Sequence, residues 1–585
     1  MQARTEVPDP LHERERWLAL HGAWGFEPDP GDRGLRERWW ERERLAGSIV
    51  VPFCVEAEAS GARVHAAAGR FWYQRRFELP AEWGQRPVFL RLGAVDYAVQ
   101  AWLNGRPVGE GRGGFTPVEL HLPVRAGENT LTLRVEETRR ASLPRGKQTH
   151  LPFAHTIFYE PTSGIWQPVI LEARGRSWIQ RLAGLTAPDG EGFLFRVRLG
   201  GPLEGRVEIR LEHPDGSVDA SASAPVRGAL LDIPLRPARV ARWSPDQPAL
   251  YRVTATLWQG DQVVDRLLSW AGLRSIEVRQ GRVLLNGQPL YQRLALYQPY
   301  WAEGWATAPS DEAMERDIRL AKAMGFNGLR IHQTIPDPRL LFHCDRIGML
   351  VWEELPSPFL FAPVDQAAFE ALLEAAVERD RGHPSVISWV LFNETWGIFP
   401  MLWSARWRRW VLAMVERCRE LAPGALVVDN SGYEHLGGDL LDVHHYLADP
   451  QAVRALYRAL AHPGDMGFEA WRQLYMALPS RIHKSPLAPG ARYAGQPVVI
   501  SECGGHGFGP YAGEGLTLLE SLERTLGLIR EHPHLQGFGY TQLCDVGQEC
   551  NGLLSVEREP KASIEAIRAA VLGVERAGPL LEALD

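Results

Sequence analysis

The 585-residue chain lacks several features that would each point to a definite class of protein. It has no run of about 18 apolar residues, so no bilayer-spanning helix is expected. Its first stretch, MQARTEVPDPLHERERW, is polar and mixed in charge and has none of the segments of a secretory signal. An excess of one charge is also missing: 64 Lys and Arg stand against 71 Asp and Glu, a net charge of −7. Nucleic-acid and membrane-surface partners favour a basic excess and are not expected here. The six cysteines, Cys54, Cys344, Cys418, Cys503, Cys544 and Cys550, have no metal-ligand spacing. They read as reduced thiols of a cytoplasmic protein. There is no HExxH, no Cys/His cluster and no phosphate-cradling glycine loop, so neither a metal nor another cofactor is expected. Lysine is scarce beside arginine, which reads as a GC-rich coding sequence rather than as thermophily.

What the chain does have is length, ordinary globular composition and 21 tryptophans. The length calls for roughly three or four domains. Tryptophan is a core residue by default, but its face also suits the apolar C–H faces of sugar rings. Residues 1–175 alternate apolar and polar positions in short runs such as VFLRLGAVDYAVQAWLNG, with a hairpin signal at Asn104-Gly105. They read as a β-sandwich or jelly roll. Residues 176–275 fit a smaller, immunoglobulin-like sandwich. From 276 to 585 apolar β-rich runs alternate with helical patterns. Eight candidate strands, at 290–296, 327–331, 349–353, 386–392, 425–429, 441–445, 497–501 and 536–540, suit a (β/α)8 barrel, with a doubly wound sheet as the alternative. After the first of them, Ser310 is placed to cap a helix that buries Met314, Ile318 and Ala321 and stops at Gly325.

Barrel enzymes carry their chemistry at the C-terminal strand ends. Those ends supply Arg330 and His332, Glu353 and Glu354, Asn393 and Glu394, Asp429 and Asn430, His444, His445 and Tyr446, Glu502, and Tyr540 with Gln542. This acidic, aromatic rim suits a polyhydroxylated substrate. Two carboxylates across one rim are what glycoside hydrolysis requires. Glu394 and Glu502 each emerge from a strongly apolar strand, whereas Glu353 and Glu354 are rivals that could equally cap the next helix.

At these residues the chain resembles glycoside hydrolase family 2. SWVLFNETW is similar to that family's acid/base signature and VVISECGG to its nucleophile signature. FWYQRRFELP, SGIWQPVILE, TAPSDEAMERDIRLAKAMGFNGLRIHQ and DRIGMLVWEELP extend the match in order over essentially the whole length. The resemblance implies two N-terminal sandwiches, one of sugar-binding type, before a catalytic barrel, and a retaining, exo-acting β-glycosidase with Glu502 as nucleophile and Glu394 as acid/base. It further implies Asn393 on the sugar 2-hydroxyl, Tyr446 orienting the nucleophile, and Arg330 and His332 supporting it. Trp396, His445, Tyr540, Gln542 and Asp545 join them as expected substrate contacts, with a structural hydrogen bond as the other reading of Asp545.

Two departures bear on the sugar. The family's β-glucuronidases carry an Asn-x-Lys pair near the last strand, where this chain has Glu549, Cys550 and Asn551, and Lys561 lies in a later stretch. The tryptophan that many members place beneath the sugar is missing, which leaves Tyr540 or Gln542 to stand there. The expectation is therefore a β-galactosidase, with β-glucuronidase, β-mannosidase and β-galactofuranosidase as alternatives. A non-catalytic carbohydrate-binding protein is the alternative from another class. The expected partner is a carbohydrate, and a homo-oligomer is in keeping with the family.

Overall fold

The computed structural model describes residues 6–64, 69–151, 153–360, 362–468, 470–471, 473, 485–508 and 515–574. The first sandwich packs a six-stranded sheet against a four-stranded one. Its long central strand, Arg70–Glu78, pairs with Gly22–Pro28 and Glu128–Glu136. Asn104 and Gly105 both take positive φ, 51° and 77°, in the two-residue turn that joins Ala98–Leu103 to Arg106–Arg112. That is the mirror-image turn whose twist matches a hairpin. The second sandwich has three- and four-stranded sheets. Strand Phe193–Gly200 shows the alternation at its simplest: Phe193, Phe195, Val197 and Leu199 are buried, and the residues between them are partly exposed.

The third part is an eight-stranded parallel sheet: β1 (Gln292–Tyr297), β2 (Gly328–Ile331), β3 (Leu350–Glu354), β4 (Val386–Asn393), β5 (Leu426–Ser431), β6 (Leu441–His444), β7 (Val498–Cys503) and β8 (Leu535–Tyr540). All eight expected strands are present. Strand β1 pairs with β8, so the sheet curls into a barrel whose one unladdered seam lies between β5 and β6. Side chains close that seam: the Ser431 hydroxyl donates to Asp442, lies 3.0 Å from His444 Nε2, and Tyr433 donates to the His444 carbonyl. The helix Asp311–Ala323 starts where expected. Ser310 accepts from the Ala313 amide, and Met314, Ile318 and Ala321 are buried.

Strand alternation decides what reaches the mouth. Leu294, Leu350, Trp352, Val428 and Val499 fill the barrel interior, and Trp243 and Leu285 plug its lower end. Residues of the other parity, such as Leu329, Val351, Val443 and Tyr540, belong to the outer core between sheet and helices. Above the interior apolar layers the inward positions turn polar. Among the described residues no helix is long and apolar enough to cross a membrane.

Candidate active site

Glu502 sits near the end of β7, where the alternation breaks. The register with β8 shifts between Ile500 and Cys503, so Ser501 and Glu502 both find inward partners, Asp442 and Arg330. Such a bulge re-aims a side chain. Glu502 receives one hydrogen bond from Arg330 on one oxygen and one from the Tyr446 hydroxyl on the other. Burial alone pushes its carboxyl up. His444, Arg330 and His332 outweigh burial and hold it below its ordinary value, against an opposing push from Glu394.

Glu394 follows β4 with φ +48°, and Thr395 with φ +66°. Two successive non-glycine residues in the left-handed region are strained, and the surroundings must fix them. Strand β5 and the turn after it supply that fixing. The Glu394 amide donates to the Ser431 carbonyl at 2.9 Å, the Thr395 amide to Asn430 Oδ1 at 2.9 Å, and the Thr395 hydroxyl to Glu434. His444 Nδ1 lies 3.0 Å from Glu394 Oε1 and 3.5 Å from Glu502 Oε1. One oxygen of each carboxylate and a His444 ring nitrogen lie within 4.8 Å of one another. The two carboxylates therefore face one another at short range, and a retaining pair needs its carboxyl groups about 5–5.5 Å apart. Glu394 is the more open of the two, its side chain 21% exposed against 7% for Glu502.

Arg330 organises the floor. Fully buried on β2, it donates to Glu502, donates to Asn393 Oδ1 at 2.8 Å and pairs with Glu354 at 2.6 Å. With its carbonyl turned to Arg330, Asn393 presents its amide N–H groups as donors. His332 Nδ1 lies 3.1 Å from Glu354, which Gln333 also holds. Burial pushes Glu354 up, but Arg330 and His332 prevail and keep it low. The other rival, Glu353, has outward parity. It is fully buried away from the mouth, and burial together with Asp380 drives its carboxyl well up.

Two expected contacts, His445 and Tyr540, turn to the outer core, and two, Gln542 and Asp545, are engaged in structural hydrogen bonds. His445 has outward parity: its Nε2 is 2.5 Å from the Tyr457 hydroxyl, and burial and His444 push it down to about 3, so the ring is neutral. Tyr540 is buried among the helix-facing core and abuts Gly504, so it does not lie beneath a sugar. Gln542 spends its amide on Gln298 at 2.6 Å and on Asn551 at 2.9 Å. Asp545 accepts from the Gly552 amide at 2.8 Å and from Lys561 at 2.6 Å, both on Oδ1, so the structural hydrogen bond, one of its two readings, is present. Thr541, between Tyr540 and Gln542, lies 3.4 Å from the Tyr446 hydroxyl and so borders the Glu502 site. Trp396 remains at the rim, partly exposed, with Phe158 of the first sandwich 5.5 Å from its ring.

The first sandwich also lends the site residues that the sequence reading does not single out. Gly146, at φ +58°, donates to the Ser357 carbonyl and lies so close to Gln333 that a Cβ would sit 2.0 Å from its carbonyl oxygen. This touchdown carries Lys147 and Tyr159 over the mouth. The Tyr159 hydroxyl donates to Glu549 and accepts from Gln298 at 2.6 Å.

Strands, seam and facing carboxylates fit one class, a barrel glycosidase, with Glu394 just past the end of β4 and Glu502 on β7. The chain belongs to glycosyl hydrolase family 2. Its sugar-binding domain model matches residues 18–144, the central family model 195–274 and the TIM-barrel model 276–443. Among similar proteins, a β-glucuronidase of Paenibacillus borealis is 28% identical over 415 residues, 64% of this chain and 67% of that one. A β-glucuronidase of Rattus norvegicus is 26% identical over 64% of this chain and 63% of its own length. A β-galactosidase of Thermoanaerobacter pseudethanolicus is 25% identical over 55% of this chain and 44% of its own. The chain thus spans about two thirds or less of these three relatives. In fold it is similar to the β-glucuronidase of Ruminococcus gnavus in complex with D-glucuronic acid, with a TM-score of 0.77 and 19% identity over 97% of this chain and all of that one.

Proposed function

We propose that the protein is a retaining exo-β-glycosidase working by double displacement. The observation that carries this is the close pair of carboxylates with unequal surroundings. Glu502, ionised and held by Arg330 and Tyr446, attacks the anomeric carbon. Glu394, the more exposed group, protonates the leaving oxygen and then takes a proton from the incoming water. Asn393 donates to the sugar 2-hydroxyl, a contact that strengthens in the transition state.

Two observations bear on the sugar. Similarity to known proteins supports a β-glucuronide over the β-galactoside expected from the sequence, because most of the similar proteins are β-glucuronidases. The sequence weighs the other way, because Glu549, Cys550 and Asn551 occupy the stretch where those enzymes are expected to carry their Asn-x-Lys pair. A panel of nitrophenyl β-glycosides, given to the wild type and to Glu502→Ala, tests the reading. Cleavage of one sugar with a loss of several orders of magnitude in the variant supports it. Undiminished activity in the variant removes Glu502 from the mechanism.

A further inference from the structure

Lys147 is the lysine at the barrel mouth among the described residues. Lys322 donates to the Pro245 and Ile347 carbonyls far from the site, and Lys561 is held by Asp545 and the Cys550 carbonyl. Lys147 comes from the sandwich loop set down by Gly146, and its side chain is only 7% exposed. Its ammonium lies 5.3 Å from the Tyr159 ring centre and 5.8 Å from that of Trp396, two residues beyond Glu394. Its charged partner is Glu549, whose Oε2 is 3.7 Å away, beyond hydrogen-bond distance. Glu549 is itself 5% exposed and held by the Tyr159 hydroxyl, and the adjacent Gln548 donates to the Thr156 and Phe158 carbonyls. Both members of the pair are therefore fixed from the sandwich side, and the gap between them is wider than a direct hydrogen bond.

We propose that Lys147 and Glu549 form a hydroxyl-reading pair in the sugar pocket, and that this pair selects a neutral terminal sugar over a uronic acid. The inference rests on the glycosidase reading above. A sugar hydroxyl can accept from the ammonium and donate to the carboxylate, so it satisfies both groups at once. A uronate carboxylate can accept from Lys147 but has no proton for Glu549. It would bring a like charge against a nearly buried carboxylate, and such juxtaposition works against binding. The cation that a uronate-binding site needs is present, but Glu549 already offsets it.

The test uses the full-length protein, Glu549→Gln and Lys147→Met, with nitrophenyl β-galactoside, β-glucoside, β-mannoside, β-galactofuranoside and β-glucuronide. Folding is checked by thermal melting. In Glu549→Gln the Tyr159 hydroxyl retains an acceptor, so the loop keeps its clamp. The wild type is expected to favour its best neutral sugar over the glucuronide by about 100-fold or more in kcat/KM. Glu549→Gln is expected to shrink that preference at least about 10-fold, chiefly through a lower KM for the glucuronide. Lys147→Met is expected to weaken the neutral sugar without admitting the glucuronide. A wild type that prefers the glucuronide, or a folded Glu549→Gln with an unchanged ratio, overturns the role of the pair while leaving the glycosidase reading intact. Failure of the wild type to cleave any glycoside overturns both.

Discussion

His444 Nδ1 lies 3.0 Å from Glu394 Oε1, on a ring with no exposed side-chain surface. The same nitrogen is 3.5 Å from Glu502, so one imidazole stands between the two carboxylates that the mechanism requires to differ. His444 is also the strongest of the groups that hold Glu502 low. Glu502 must be ionised to attack, so activity falls as pH drops through its lowered pKa. In His444→Ala the acid limb of the kcat/KM profile is expected to move to higher pH. An acid limb that stays in place would show that Arg330 and His332 suffice.

Glycine at position 432 makes that arrangement possible. Its φ is +96°, and a Cβ there would lie 2.5 Å from His444 Nδ1. Gly432→Ala is expected to displace the imidazole and cost on the order of 100-fold in kcat/KM, since an ångström of misplacement carries that scale of loss. Steady-state kinetics beside a melting curve check this: the activity loss should far exceed what the fraction unfolded explains.

Glu394 is needed in proportion to the basicity of the leaving group. Glu394→Ala is expected to lose about 100- to 10,000-fold on an alkyl glycoside. It should lose much less on a dinitrophenyl glycoside, whose phenolate departs without a proton. Equal losses on the two would argue against the acid role.

A pH effect on stability is expected from the first sandwich. Burial drives the Glu56 carboxyl up to about 8, against hydrogen bonds from Ser163, while the unfolded group titrates near 4.5. The folded state therefore holds a proton that the unfolded state has lost. The stability this proton contributes is complete below pH 4.5 and disappears as pH rises through about 8. Denaturant melts between these limits should show stability falling with pH, by at most about 1.4 kcal/mol per unit from this group. Glu56→Gln should flatten that slope.

The barrel was legible in the sequence because each strand is a short apolar run set between helical patterns, and the helix after β1 announces itself through Ser310 and Gly325. Glu394 and Glu502 were legible because each ends such a run. Two of the differences came from parity. His444 and His445 are neighbours at one strand end, but Asp442 and His444 share the inward parity and His445 turns to Tyr457. In the same way Tyr540 shares the outward parity of Phe538, which puts it among the helices. Counting alternation from an apolar interior residue would have found both. The bulge that turns Glu502 inward, and the sandwich loop that delivers Lys147 across some 400 residues of sequence to Glu549, depend on tertiary contact and carry no local signal.

The stereochemistry of the first-formed product tests the central claim most directly. The best nitrophenyl β-glycoside of the panel would be hydrolysed in an NMR tube and the anomeric proton followed before mutarotation. The close approach of Glu394 and Glu502 predicts that the β-anomer of the free sugar appears first, with the α-anomer growing in later. First appearance of the α-anomer would mean a single inverting displacement by water and would contradict Glu502 as the nucleophile.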